Sequence, residues 1–173
     1  MILTVMWLMT ALVIGFMVGR ISMYGTWGTD EEEMGNESGE AIMEMVEEAG
    51  FEIAYMGAIP NDREVLAAVM TRITDTFSAD LVLTTGGAGC GPSDCTPEAT
   101  MDIIEKQIVG IPEAMRAYTM KLTKRAMLNR SVAGIRGDVL IVNLPGKAQA
   151  VRESLKFLMP ELVHAVEVIQ GEA

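Results

Sequence analysis

The run from residue 81 to residue 100, LVLTTGGAGCGPSDCTPEAT, constrains this chain more than any other stretch. Three apolar β-formers, Leu81, Val82 and Leu83, lead through Thr84 and Thr85 into Gly86, Gly87, Gly89 and Gly91. A short continuous apolar run suits a parallel strand covered on both faces. Glycines let the backbone take positive φ and approach a ligand closely, because no Cβ intervenes. Asp94 follows, and then Thr96-Pro97-Glu98, which reads as a helix start. Thr96 is expected as the N-cap, Pro97 at the first helical position and Glu98 against the dipole. Strand, glycine loop with a carboxylate, and helix N-terminus thus fall within one run. Free N–H groups in such a place favour phosphate, and a carboxylate there favours a metal ion bridging phosphates.

The rest of the chain alternates in the same way. A strand near 16–23 leads into an acidic loop from Gly25 to Glu37. Ser38 is expected to cap a helix from about Gly39 to Ala49, with Ala41, Ile42, Met45 and Val46 at helical spacing. Phe51 to Tyr55 reads as a strand, and Pro60-Asn61-Asp62 opens a helix over about Arg63 to Phe77. The helix after the glycine loop is expected to run from Pro97 to about Gln107. Gly110-Ile111-Pro112 starts another, and Thr123 to Leu128 a short one. Strands at 132–133 and 139–142 flank a turn at Arg136-Gly137, and helices at 147–158 and 161–169 close the chain. Such alternation predicts an α/β domain: three layers, αβα, with a mainly parallel sheet. Ligands then bind outside the carboxyl ends of the strands, where residues 61–62, 85–94 and 145–146 lie.

At 173 residues the chain is one domain by length. Its net charge of −11 argues against nonspecific nucleic-acid binding, which needs Lys and Arg to displace counterions. An anionic ligand would need local cations or loop amides to overcome that field. Cys90 and Cys95 read as small reduced residues, and His164 as a packed structural residue on an apolar helix. The first nineteen residues carry no charge. Residues 1–15 are expected to form an apolar extension, buried or packed in an oligomer, ahead of a single domain over 16–173. The alternative is a membrane anchor formed by residues 1–19.

TTGGAG, Asp94 and Thr96-Pro97-Glu98-Ala99-Thr100 also resemble the signature of the MoaB/Mog family of molybdenum cofactor biosynthesis. Further blocks match in order: Glu113-Ala114-Met115-Arg116, Ala126-Met127-Leu128-Asn129-Arg130, Ala133-Gly134-Ile135-Arg136-Gly137 and Leu140 through Gly146, then Pro160 through Ala165. The resemblance covers roughly residue 16 to the end. It implies the molybdopterin-binding fold and adenylyl transfer from Mg-ATP to molybdopterin. It also implies a cytoplasmic homotrimer working beside other proteins of the pathway. Carried over residue by residue, it makes Asp94, Asp62 and Asn61 the catalytic group, with Mg²⁺ on Asp94 and Asn61. Thr85, Gly86, Gly87, Ala88, Gly89, Ser38, Glu98, Asn129, Arg130, Pro145, Gly146 and Lys147 would bind the substrates. Arg136 would meet a phosphate or an interface carboxylate. The chain departs from the pattern at Asn61, where the family usually has an acid, and at Ala88, usually Thr. These departures leave open a molybdopterin carrier without adenylyl transfer.

Overall fold

The structure, a computed structural model, describes residues 20–25, 34–76 and 79–172. Six strands form one sheet: β1 (Arg20–Gly25), β2 (Glu52–Ala58), β3 (Leu81–Thr85), β4 (Lys106–Gln107), β5 (Ala133–Arg136) and β6 (Val139–Leu144). Five α-helices accompany them: α1 (Met34–Glu48), α2 (Arg63–Thr76), α3 (Thr96–Ile103), α4 (Gly110–Thr119) and α5 (Ala148–Gln170). A 3-10 helix spans Lys124–Leu128. The strand order is β2-β1-β3-β6-β5-β4. The first four are parallel, whereas β5 runs against β6 and β4 against β5. The chain therefore moves outward from β1 to β2 and returns past β1 to β3. A reversal of this kind opens a crevice at the strands' carboxyl ends.

Every residue of β3 and β6 is buried, and their side chains alternate between two cores. Leu81, Leu83, Leu140, Val142 and Leu144 pack with α1 and α5 through Ile42, Val46, Val151, Leu155 and Leu162. Val82, Val139 and Ile141 face Leu66, Met70 and Ile73 of α2 and Ala99 and Ile103 of α3. Each such aliphatic side chain contributes about 1.5–3 kcal/mol by leaving water, against its lost conformational freedom. The expected three-layer arrangement is therefore present, with the antiparallel strands β5 and β4 added at one edge. Asn143 sets the register where the layers meet. Its Nδ2 donates to Thr84 Oγ1 at 2.9 Å and to Thr100 Oγ1 at 2.8 Å, while its Oδ1 accepts the Val132 N–H. This buried amide ties β3, β6 and α3 together with its donors and acceptor satisfied.

Four local expectations are corrected. Helix α1 begins at Met34, so Ser38 is a buried residue within it and not its cap. Helix α3 stops at Ile103 because the next residues bond to the sheet: Glu105 N–H reaches Ile135 O and Ile108 N–H reaches Ala133 O, both at 2.8 Å. Helix α5 runs unbroken through Pro160. Its long buried face, Val151 to Val166, offsets the hydrogen bond that proline removes. His164 stands exposed on that helix beside Glu167, with 63% of its side chain accessible, and is not packed. Residues 1–19, which carry the expected extension and the start of the first strand, lie outside the described residues, as do 26–33 of the acidic loop and Phe77. Among the described residues no helix is long and apolar enough to cross a membrane.

Candidate functional site

Beyond the end of β3 the backbone turns through two consecutive left-handed residues, Gly86 (φ +86°) and Gly87 (φ +62°), a pair that side chains would strain. Thr85 Oγ1 donates to Pro145 O at 2.6 Å and ties this turn to the β6–α5 connection. On the far side of the loop Thr96 donates twice, from N–H to Gly87 O and from Oγ1 to Gly86 O, both at 3.1 Å. Thr96 is thus the first residue of α3, and the N-cap position belongs to Cys95, whose side chain does not bond to the helix. The threonine expected to cap the helix instead holds the loop closed.

Asp94 sits inside this loop. Its Oδ2 accepts the Gly91 N–H at 2.7 Å, and a Cβ on Gly89 would lie 2.8 Å from the same oxygen. Glycine at 89 is therefore needed for space, not for an unusual φ. Arg130 holds the loop from behind. It donates from its backbone N–H to Ala88 O (2.8 Å), from Nε to Gly89 O (2.5 Å) and from Nη2 to Asp94 O (2.9 Å), and its Nη1 pairs with Glu98. Burial opposes ionisation of Glu98, but the Arg130 hydrogen bond, backbone bonding and the Arg130 charge outweigh it. They hold this carboxyl below the usual carboxylate range. The same hydrogen bond raises the Arg130 guanidinium. Expected as substrate ligands, Glu98 and Arg130 lie behind the loop and do not line the cleft.

The cleft itself encloses about 630 Å³. Ser38, Asn61, Thr85, Gly86, Gly87, Ala88, Gly89, Asp94, Asn129, Pro145, Gly146 and Lys147, which the family resemblance assigns to catalysis or substrate binding, all line it. Asp62 does not: its Oδ1 accepts the N–H groups of Glu64 and Val65 at 3.0 Å each, making it the N-cap of α2. Asn61 is engaged at both ends of its amide, donating from Nδ2 to Ser93 O and accepting the Cys95 thiol at 3.4 Å. Burial, then the charges of Asp62, Glu98 and Asp94, push that thiol up. Both cysteines are free. Arg136 lies elsewhere, between β5 and α2, where it forks onto Asp75 at 3.2 Å and donates to Ile103 O.

Sequence reading missed one wall. Arg116, Thr119, Thr123 and Arg125, from α4 and the segment after it, also line the cleft. Arg116 Nη1 donates to Asn129 O and Ser131 O at 3.4 and 3.3 Å. Arg63, Arg130, Arg136 and Arg152 are each paired with a carboxylate. Among the described residues no carboxylate pairs with Arg116, Arg125 or Lys147, and the one carboxylate lining the cleft is Asp94. A chain of net charge −11 has here, among the described residues, gathered three cations against one carboxylate. Among the described residues no cluster of three or more His, Cys, Asp or Glu could hold a metal alone. The donor set does fit an ion shared with phosphates, since Mg²⁺ commonly takes one or two carboxylates and fills its shell with substrate and water.

A glycine loop, a carboxylate and cations that pair with no carboxylate among the described residues, at the switch point of a doubly wound sheet, suit phosphate-bearing ligands. Comparison with known proteins narrows the class. Residues 17–164 match the family described as probable molybdopterin binding domain. The chain is 37% identical over 136 residues to a molybdopterin adenylyltransferase of Helicobacter pylori, covering 78% of this chain and 77% of that protein. The structure of the molybdopterin biosynthesis enzyme MoaB of Thermus thermophilus superposes with a TM-score of 0.76 at 33% identity, covering 87% of this chain and 94% of that one. A tungsten cofactor synthesizing MoaB of Pyrococcus furiosus superposes at 0.67 and 26% identity, covering 86% and 94%. The chain belongs to the MoaB/Mog family.

Proposed function

We propose that this protein is a molybdopterin adenylyltransferase acting in molybdenum cofactor biosynthesis. The observation that carries the reading is the charge of the cleft: an acidic protein has lined it, at the strand ends, with a glycine loop and three cations that pair with no carboxylate among the described residues. Two anionic substrates, ATP and molybdopterin, call for such a lining. In the reaction a terminal phosphate oxygen of molybdopterin attacks the α-phosphorus of ATP. A new P–O–P link forms, the bond to the β-phosphate breaks, and pyrophosphate leaves.

No covalent nucleophile is needed, because the work is positioning and charge neutralisation. The loop from Gly86 to Gly89 offers close backbone approach to phosphate. Lys147 from the β6–α5 connection, Arg125 from the 3-10 helix and Arg116 from α4 supply positive charge. Mg²⁺, when bound, would neutralise charge developing on the pyrophosphate, and Asp94 would hold it. Asp94 Oδ2 is fixed by the Gly91 amide, while among the described residues Oδ1 has no protein donor. Exposed apolar residues on the segment after α4, Met120, Leu122, Met127 and Leu128, support self-association, and the homotrimer itself rests on the family resemblance.

The test is product analysis with purified protein, Mg-ATP and molybdopterin. Adenylyl-molybdopterin and pyrophosphate in equal amounts would establish the transferase. Tight pterin binding without pyrophosphate would establish the carrier in its place.

A further inference from the structure

Asn61 stands on the β2–α2 connection, and the amide of its side chain bridges two residues of the glycine loop, Ser93 and Cys95. Each end of that amide meets the complementary partner. The Nδ2 donor faces a carbonyl oxygen, and the Oδ1 acceptor faces a thiol. Between those two attachment points lies Asp94. The opposite side of the loop is held by Arg130, so Asn61 is the tie on the side open to the cleft.

We propose that Asn61 is a positioning residue, a clasp that fixes the loop bearing Asp94, and that it does not itself bind a metal ion. The chemistry of the two contacts decides against an acid at this position. An ionised aspartate has no N–H for the Ser93 carbonyl and would set two oxygens face to face. It would also add a charge where Asp62, Glu98 and Asp94 already act on the Cys95 thiol. Restoring the acid that the family pattern favours therefore harms this protein. A metal ligand would behave in the opposite way, because a carboxylate binds Mg²⁺ more strongly than a neutral amide does.

The experiment has two arms, and only the second rests on the adenylyl-transfer reading. In the first, hydrogen exchange is followed by mass spectrometry across residues 86–96 of the full chain, without metal or nucleotide, in wild type, Asn61→Ala and Asn61→Asp. Both variants are expected to exchange the Gly91 and Asp94 amides about three- to tenfold faster, the factor for one neutral hydrogen bond. Exchange elsewhere in the sheet should be unchanged, which excludes general unfolding. In the second arm, kcat is expected to fall in both variants, with KM for ATP and the Mg²⁺ concentration for half-maximal rate held near wild type. Unchanged exchange in both variants would overturn the clasp. So would an Asn61→Asp protein that keeps its loop protection and reaches half-maximal rate at lower Mg²⁺. Should the wild type transfer no AMP at all, the functional reading fails while the exchange arm still decides the clasp.

Discussion

Gly89 and Asp94 are set for each other: the carboxylate occupies the volume where a Cβ on Gly89 would be, at 2.8 Å. Gly89→Ala must push that carboxylate aside. The rate of adenylyl transfer is expected to fall about a hundredfold, as for other misplacements near one ångström. Thermal melting should move only slightly, since the loop is exposed and the two cores are untouched. Cys90 and Cys95 provide a second check at this scale. Cys90 is exposed, whereas Cys95 is half-buried and its thiol is pushed up by burial and by three neighbouring carboxylates. Iodoacetamide labelling followed by peptide mapping should modify Cys90 first. Equal rates at the two sites would contradict the packing of the loop.

Among the elements, α5 was the hardest to read. Pro160 suggested two helices, yet one helix of 23 residues forms because both halves carry apolar residues on one buried face. Tertiary burial outweighed a local breaker, an outcome that a local reading of sequence cannot weigh. Ser154 on the same face is fully buried, and its hydroxyl has no partner among the described residues. Ser154→Ala is expected to leave the fold intact and raise stability by about 1 kcal/mol in urea titration. A loss of stability would show an unseen partner for that hydroxyl. Strand β3 and the glycine turn after it, by contrast, are legible in the sequence, because a doubly buried strand and a glycine turn leave local signatures. Thr96 was misplaced since its role depends on the carbonyls of Gly86 and Gly87, and only the closed loop sets those beside it. Arg116 and Arg125 were invisible for the same reason. Nothing in the spacing of α4 says that it roofs the cleft.

For the whole molecule, stability and function meet in the pair of Glu98 and Arg130. Glu98 has its folded pKa below its ordinary value of 4.5. Its contribution is therefore fully present above that value and is lost as pH falls through the lower, folded one. Half-exposed pairs are screened, so the effect should be modest. Glu98→Gln is expected to flatten the acid side of a stability–pH profile below about pH 4.5. An unchanged slope would mean that the pair does not hold the loop in solution. On the same scale, the family resemblance covers the chain broadly, whereas the cleft that gives it meaning is built from widely separated residues. The proposed transfer of AMP in that cleft depends on Asp94. The most direct measurement is pyrophosphate release by wild type and Asp94→Ala with Mg-ATP and molybdopterin, run beside molybdopterin binding for both. Transfer by the wild type and a loss of at least about a hundredfold in the variant, with binding retained, is the expected result. Equal turnover by the two proteins, or binding without turnover by the wild type, would contradict it.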